Sequence, residues 1–336
     1  MSLYKAETRR LTKRRFTRWL VLGSLLVLVA IAVGMAFTNQ KVGPEQVTQA
    51  KAKSEAQYQE QLRYAQQDRA RCDAAKGTPQ AADFPADCAQ MYTPTPEDFD
   101  YRWNMPATFD FREKFGDLVV AFAAVLALMA FVMGASYVGA EWSNGGMMNL
   151  LLWRPQRLQV LGTKLLALLV GLTVLAVVAA AAWTGVFALI ASLRGSTASM
   201  TSGAWQSFLL MEVRAVAVVL VAGAIGFGLA SIGRHTALAL GAAVGVVVLL
   251  QFGLYIVLSM AKVKFAEVLL LPLWATAWMK KSFVIEDYNT CDFSTTNGCE
   301  PAKLTLTWPM AGGLMAIAVV LVVSAAMWTM RSRDIT

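Results

Sequence analysis

Histidine is nearly absent from this chain of 336 residues, which has one, His235. A metalloprotease needs two histidines one helical turn apart with a general base between them, and no HExxH spacing occurs. An intramembrane serine protease needs a serine and a histidine facing each other. Ser136 has small neighbours in Gly134 and Ala135, but His235 falls beside Arg234 in a short loop and reads as a solvated residue. The chain also lacks a GxxxxGK[ST] phosphate loop and so cannot hold ATP by that route. Charge is scarce: 15% of residues are charged and 57% are hydrophobic, far from the balance of a soluble globular domain. A membrane enzyme is disfavoured, and a polytopic membrane protein is what remains.

Crossing about 30 Å of hydrocarbon as helix takes roughly 18 or more apolar residues, each advancing about 1.5 Å. Six runs are long enough: Trp19 to Phe37, Leu118 to Val138, Leu165 to Ile190, Phe208 to Ile232, Leu238 to Met260 and Met310 to Met330. A seventh, Phe265 to Met279, is too short and carries Pro272 in its middle, so it reads as a re-entrant or interfacial hairpin. The expected fold is all-α integral membrane with six transmembrane helices.

Lys and Arg in short flanking segments set the orientation. The head carries Lys5, Arg9, Arg10, Lys13, Arg14, Arg15 and Arg18 against the single acid Glu7, which makes the N-terminus cytoplasmic. Arg154, Arg157, Lys164, Arg234, Arg331 and Arg333 then fall inside as well. The resulting organisation is a basic cytoplasmic head (1–18) that could lie on anionic lipid through Leu3, Tyr4, Leu11, Phe16 and Trp19, then the first span (19–37) and an extracytoplasmic domain (38–116). The second span (117–138), a cytoplasmic loop (139–164), the third to fifth spans (165–260), an extracytoplasmic hairpin and loop (261–308), and the sixth span with a cytoplasmic tail (309–336) complete it. The first span reads as retained, because the small-x-small site Ala32 to Gly34 lies within the apolar run and not after it.

All four cysteines, Cys72, Cys88, Cys291 and Cys299, fall in the two outer segments, where disulfides persist. Local pairing, Cys72 with Cys88 and Cys291 with Cys299, is the simplest of the three connectivities that four cysteines allow. Between Pro44 and Lys76, Glu, Gln, Ala, Lys and Arg dominate and glycine is absent, which predicts a helix with Tyr58, Leu62, Ala65 and Cys72 on one stripe. Beyond it lies an aromatic stretch, Phe99, Tyr101, Trp103, Phe109, Phe111 and Phe115, as expected of interface anchoring and small-domain packing.

The inner loop is the most informative segment. Met147 to Trp153 is a compact apolar run with large, adaptable side chains. Gly145 and Gly146 let the chain turn ahead of it, and Pro155 ends or redirects it. Glu141, at the end of the second span, needs a cation, and Arg154, Arg157 and Lys164 are at hand.

The series Glu141, Gly145, Gly146, Leu150-Leu151-Leu152, Pro155, Arg157 and Lys164 resembles the inner-loop signature of ABC type-2 permeases, the membrane subunits of bacterial ABC exporters. It departs from that signature at Gly146, where a threonine is common. The order of segments is similar over nearly the whole chain. The resemblance implies a permease subunit in a bacterial cytoplasmic membrane that pairs with itself or a paralogue and binds two ABC ATPase subunits. ATP and magnesium would reside in those partners, with no cofactor, metal or nucleic acid bound by this chain. It assigns coupling to Glu141, Gly145, Gly146, Met147, Leu151, Trp153, Arg154, Pro155, Arg157 and Lys164, and an outer gate to Leu269, Leu271, Pro272 and Leu273.

Gly241 and Gly245 form a GxxxG in the fifth span, open to packing within the chain, to a dimer interface or to a pathway wall; in the resembling family the second and fifth spans face a central pathway. Glu212 and Arg214 read as snorkelling to outer headgroups, and Trp274 and Trp278 with Lys280 and Lys281 as headgroup anchors. Apolar walls with few charges suit a hydrophobic or amphipathic cargo such as a drug, antibiotic, lipid or peptide, moved outward. The alternative is a membrane-anchored receptor or scaffold acting through its extracytoplasmic domain.

Overall fold

The computed structural model describes residues 3–85, 87–153, 156–288 and 301–332. Six of the described helices are long and apolar enough to cross a membrane: α2 (Arg15–Thr38), α4 (Phe111–Ser143), α6 (Arg157–Arg194), α7 (Ser202–Gly233), the composite helix Thr236–Met260 and α11 (Trp308–Ser332). Each contains one of the apolar runs, and most overshoot it, because polar flanks such as Arg112 to Asp117 continue the same helix. The composite fifth span consists of α8 (Thr236–Gly245), a π-helix at Val246–Leu254 and α9 (Tyr255–Met260).

The fold is mostly helical and not all-α. After the short helix α10 (Leu271–Lys280), β3 (Ser282–Asp287) and β4 (Ala302–Thr307) pair antiparallel, Phe283 opposite Leu306 and Ile285 opposite Leu304. Apolar and polar residues alternate in β4, whereas β3 carries the apolar run Phe283 to Ile285; Ile285 and Leu306 pack with Ala277 and Ala311 in one cluster flanked by Trp274 and Trp278. Cys291 and Cys299 lie between these strands, outside the described residues, as does Arg333.

The chain divides into two compact units. In the larger (1–32, 112–187, 199–336), α4 and α7 form the centre. A Cβ on Gly134 would meet the carbonyl of Gly223, and one on Gly226 the carbonyl of Phe131, so the two backbones touch where no side chain fits. Farther along these helices and on α6, Phe115, Phe122, Trp183, Phe187 and Phe208 meet edge-on or tilted, with ring centroids 4.6 to 6.2 Å apart.

The smaller unit (33–111, 188–198) is built on α3 (Pro44–Ala75), the helix its composition predicts. Four short 3-10 turns lie along it, tied by the Cys72–Cys88 disulfide with Cα atoms 5.9 Å apart. Arg69 donates to the carbonyls of Cys88 and Ala89, Ser54 to that of Phe99, and the Tyr58 and Phe99 rings meet at 5.9 Å. Two-residue strands β1 (Phe109–Asp110) and β2 (Gly195–Ser196) pair in parallel.

Candidate functional site

At the end of the bundle that carries the N-terminus, three helices meet around a buried lysine. Lys164 on α6 is fully buried; its Nζ lies 2.7 Å from Oε2 of Glu7, on α1 (Leu3–Lys13), and 2.6 Å from Oε2 of Glu141, on α4. Tyr137, one turn before Glu141, donates its hydroxyl to Glu7 Oε2 at 2.8 Å and turns its ring face to Lys164 Nζ at 5.2 Å. Arg10 donates to the other Glu7 oxygen at 3.2 Å, and Arg14 to the carbonyl of Ser136 at 3.0 Å. Two carboxylates therefore share one ammonium; Glu7 and Lys164 are out of reach of water and Glu141 is partly exposed. Buried charges are tolerated only when paired, and removing one partner costs about 3–5 kcal/mol. Lys164 is thus the cation that Glu141 required, and it pins the head helix to the second and third spans.

Glu7 and Tyr137 were not among the residues that the sequence singled out as a site. The signal for Glu7 was its place on the head helix, three residues after Tyr4 and four before Leu11. An acid on an apolar stripe with a lysine or arginine elsewhere to meet it is out of place on a lipid surface. The head is accordingly not only an interfacial helix: Glu7 and Leu11 are buried, while Phe16 and Trp19 are exposed.

Beyond Glu141 the inner loop is largely helical. α4 runs to Ser143, Gly145 turns with a left-handed φ of +70°, and α5 (Gly146–Trp153) begins at Gly146. Of the two glycines, Gly145 makes the turn. Met147 and Leu151, one helical turn apart, are buried, whereas Met148 is exposed and Leu152 is 82% exposed. Arg157 opens α6 and lines a recess with Gln156, Leu158, Gln159 and Arg331. Arg154, Pro155 and the side chain of Trp153 lie outside the described residues. The guanidinium of Arg234 sits over the Trp142 ring at 4.9 Å, and His235 accepts from the Ala237 amide, capping α8 in an exposed position.

The second region is the hairpin before the last span. A 3-10 turn, Ala266–Leu269, leads to α10, where Pro272 lies in the first turn. Proline here opens a helix and does not break one, since its missing N–H would be unpaired in any case. Gln251 in the π-helix donates to Leu269 O at 2.8 Å and accepts from Leu271 N–H at 2.7 Å. Leu271 and Pro272 are exposed, and Leu273 packs against the strand cluster. Trp274 and Trp278 are each half-buried, their indoles donating to the carbonyls of Val268 and Arg214, so they also tie the hairpin to its neighbours. Lys280 pairs with Asp117 at 2.6 Å. Snorkelling fails for Glu212, which is buried and accepts from Thr184, and Arg214 lies over the Trp308 ring at 5.8 Å. Long polar side chains read as interfacial only while nothing nearby accepts or donates, and here neighbouring elements do.

Gly241 and Gly245 face open space, with no atom of the described residues within 4 Å of an added Cβ. Packing within the chain, one of the three uses open to this motif, is not seen among the described residues. No group of three or more His, Cys, Asp or Glu that could hold a metal occurs among the described residues.

A family model described as ABC-2 family transporter protein matches residues 1–330. No curated protein matches the chain. The span of that match shows that the chain belongs to the ABC-2 family of transporter membrane proteins.

Proposed function

With that membership as the premise, we propose that the chain is the permease subunit of an ATP-driven exporter. It pairs with a second copy or a paralogue and receives force from two ATPase subunits at residues 139–164. The observation that carries this reading is α5. One face, Met147 and Leu151, is seated in the protein, while the other offers Met148 and the nearly bare Leu152. Its root is fixed by the Glu7, Lys164 and Glu141 contacts. A large apolar side chain held out on a rigid, charge-anchored helix is suited to docking a partner.

In this reading Glu141 and Lys164 hold the coupling helix, Gly145 sets its angle, and Arg157 borders the docking face. ATP binding in the partners shifts the paired subunits between inward- and outward-facing arrangements through differential contacts. Leu269, Leu271, Pro272 and Leu273 close the outer side, and the exposed fifth span with Gly241 and Gly245 serves the pairing or the pathway. The cargo is hydrophobic or amphipathic and moves outward across a bacterial cytoplasmic membrane.

The test is gentle detergent purification of the tagged chain, with identification of what stays bound and an ATPase assay. A phosphate-loop ATPase that copurifies and is lost on Leu152→Asp supports the reading. A chain that purifies alone and without nucleotide hydrolysis turns attention to the extracytoplasmic domain as a receptor.

A further inference from the structure

We propose that Gln251 is a positioning residue that clamps the hairpin before the last span to the fifth span. Between Thr236 and Met260 it is the one carboxamide in an otherwise almost wholly apolar run. An amide there is costly unless both of its ends are bonded. Its neighbours Leu249, Leu250 and Phe252 are exposed, yet Gln251 is buried, so the polar residue is the one turned inward.

The groups it meets are the two that the hairpin cannot satisfy by itself. Leu269 ends a 3-10 turn and Leu271 begins α10, with Leu270 extended between them. Carbonyls at the end of one turn and N–H groups at the start of the next have no partner within their own helix, and Pro272 supplies no N–H. The Gln251 amide answers both at once, donating to Leu269 O and accepting from Leu271 N–H. Two such bonds to residues flanking Leu270 fix both the position and the direction of the chain there.

The clamp sits within the nine-residue π-helix. Such helices are wider than α-helices, are rarely long and concentrate at functional sites. Returning one residue to α-helical register would rotate the C-terminal remainder of the span by about 100°. The position of the hairpin is therefore tied to the register of the fifth span by this side chain, besides the packing of α9 on the Ala266–Leu269 turn. That this governs transport rests on the reading of Leu269 to Leu273 as the outer gate; the clamp itself does not.

The experiment uses the full chain with its copurified ATPase in sealed vesicles. Leu270→Cys serves as the reporter, labelled by a membrane-impermeant maleimide and compared with the same chain lacking the reporter. Gln251→Leu is expected to label about tenfold faster, as expected when a buried two-bond contact is lost. Gln251→Asn, one methylene short, labels equally fast. Gln251→Glu, which as a carboxylate keeps the acceptor for Leu271 N–H and loses the donor to Leu269 O, labels at a rate between the parent and Gln251→Asn. An unchanged rate in Gln251→Leu with parental elution and melting overturns the clamp. If that variant does not accumulate, equal rates in the Asn and Glu variants overturn it. Clamp-dependent labelling that ATP leaves unaltered supports the clamp and removes the gate reading.

Discussion

The fourth and fifth spans have nearly the same mean hydropathy, 2.4 and 2.3, yet half of the most apolar stretch of the fourth is buried in the chain and only 6% of that of the fifth. Both carry closely spaced glycines. In the fourth, Gly226 meets the backbone of α4 and Gly223 the Leu172 side chain of α6, while Gly241 and Gly245 in the fifth meet nothing among the described residues. Hydropathy thus reports the need for a non-aqueous surrounding and is silent on whether protein or lipid supplies it. The fourth span is held by backbone approach along its length, the fifth by its turn from α7, by the packing of α9 on the Ala266–Leu269 turn and by one bridging amide.

The comparison breaks first at the polar contact that stands outside both spans. Lys164→Met leaves the buried Glu7 beside the partly exposed Glu141 without their shared cation and is expected to cost about 3–5 kcal/mol. The loss would appear as a lower melting midpoint in detergent and rapid proteolysis after Lys13 or Arg15. Parental melting in that variant would mean that the head is held by apolar packing alone.

Gly226→Ala comes next. The obstacle to its methyl group is the Phe131 carbonyl and not a side chain that can swing away, so the cost reaches about 3 kcal/mol, the upper end for overpacking. Thermal melting of the purified chain checks this. Gly241→Leu with Gly245→Leu should by contrast leave the melting of the single chain within about 0.5 kcal/mol of the parent, as for surface changes. The same pair of changes should reduce the paired species in mass photometry; if pairing is retained, the GxxxG faces lipid or the pathway.

The smallest effect lies in the unit built on α3. The Asp98 carboxyl is held below its ordinary value of 3.8 by the Tyr92 hydroxyl and then by the amide and hydroxyl of Thr95. A depressed folded value means that its contribution is complete above pH 3.8 and is lost as the pH falls through the lower folded value. Near-ultraviolet dichroism of Tyr92 should change in that acid window and return with base, and Asp98→Asn should abolish the transition.

The spans and α3 were legible because each is a long segment whose own composition decides its state. Their lengths were read short, since polar residues such as Glu113 and Lys114 continue a helix without adding hydropathy. The β3–β4 pair was written in the spacing of Phe283, Ile285, Leu304 and Leu306, but a two-stranded unit is settled only by the cluster it packs on. Among the functional residues, Glu141 with Lys164 could be foreseen because a buried acid demands a cation nearby in the chain. Glu7 could not be placed so easily, because its partner is far away in sequence. The packing of Trp274 and Trp278 was not legible because their acceptors are set by the fold: the carbonyl that receives the Trp278 indole belongs to Arg214, on another helix.

The contact between Glu7 and Lys164 spans 157 residues of chain. Synthesis at about 5–20 residues per second delivers the lysine roughly 8–31 s after the glutamate. Through that interval Glu7 has Arg10 and, once the second span is made, Tyr137 as partners, but not the lysine that neutralises it in its buried seat. Capture of the head marks the moment at which the third span has entered beside the second. A nascent chain cut short before Lys164 would carry a loose, protease-sensitive head, so the seated head distinguishes an inserted chain from an arrested one.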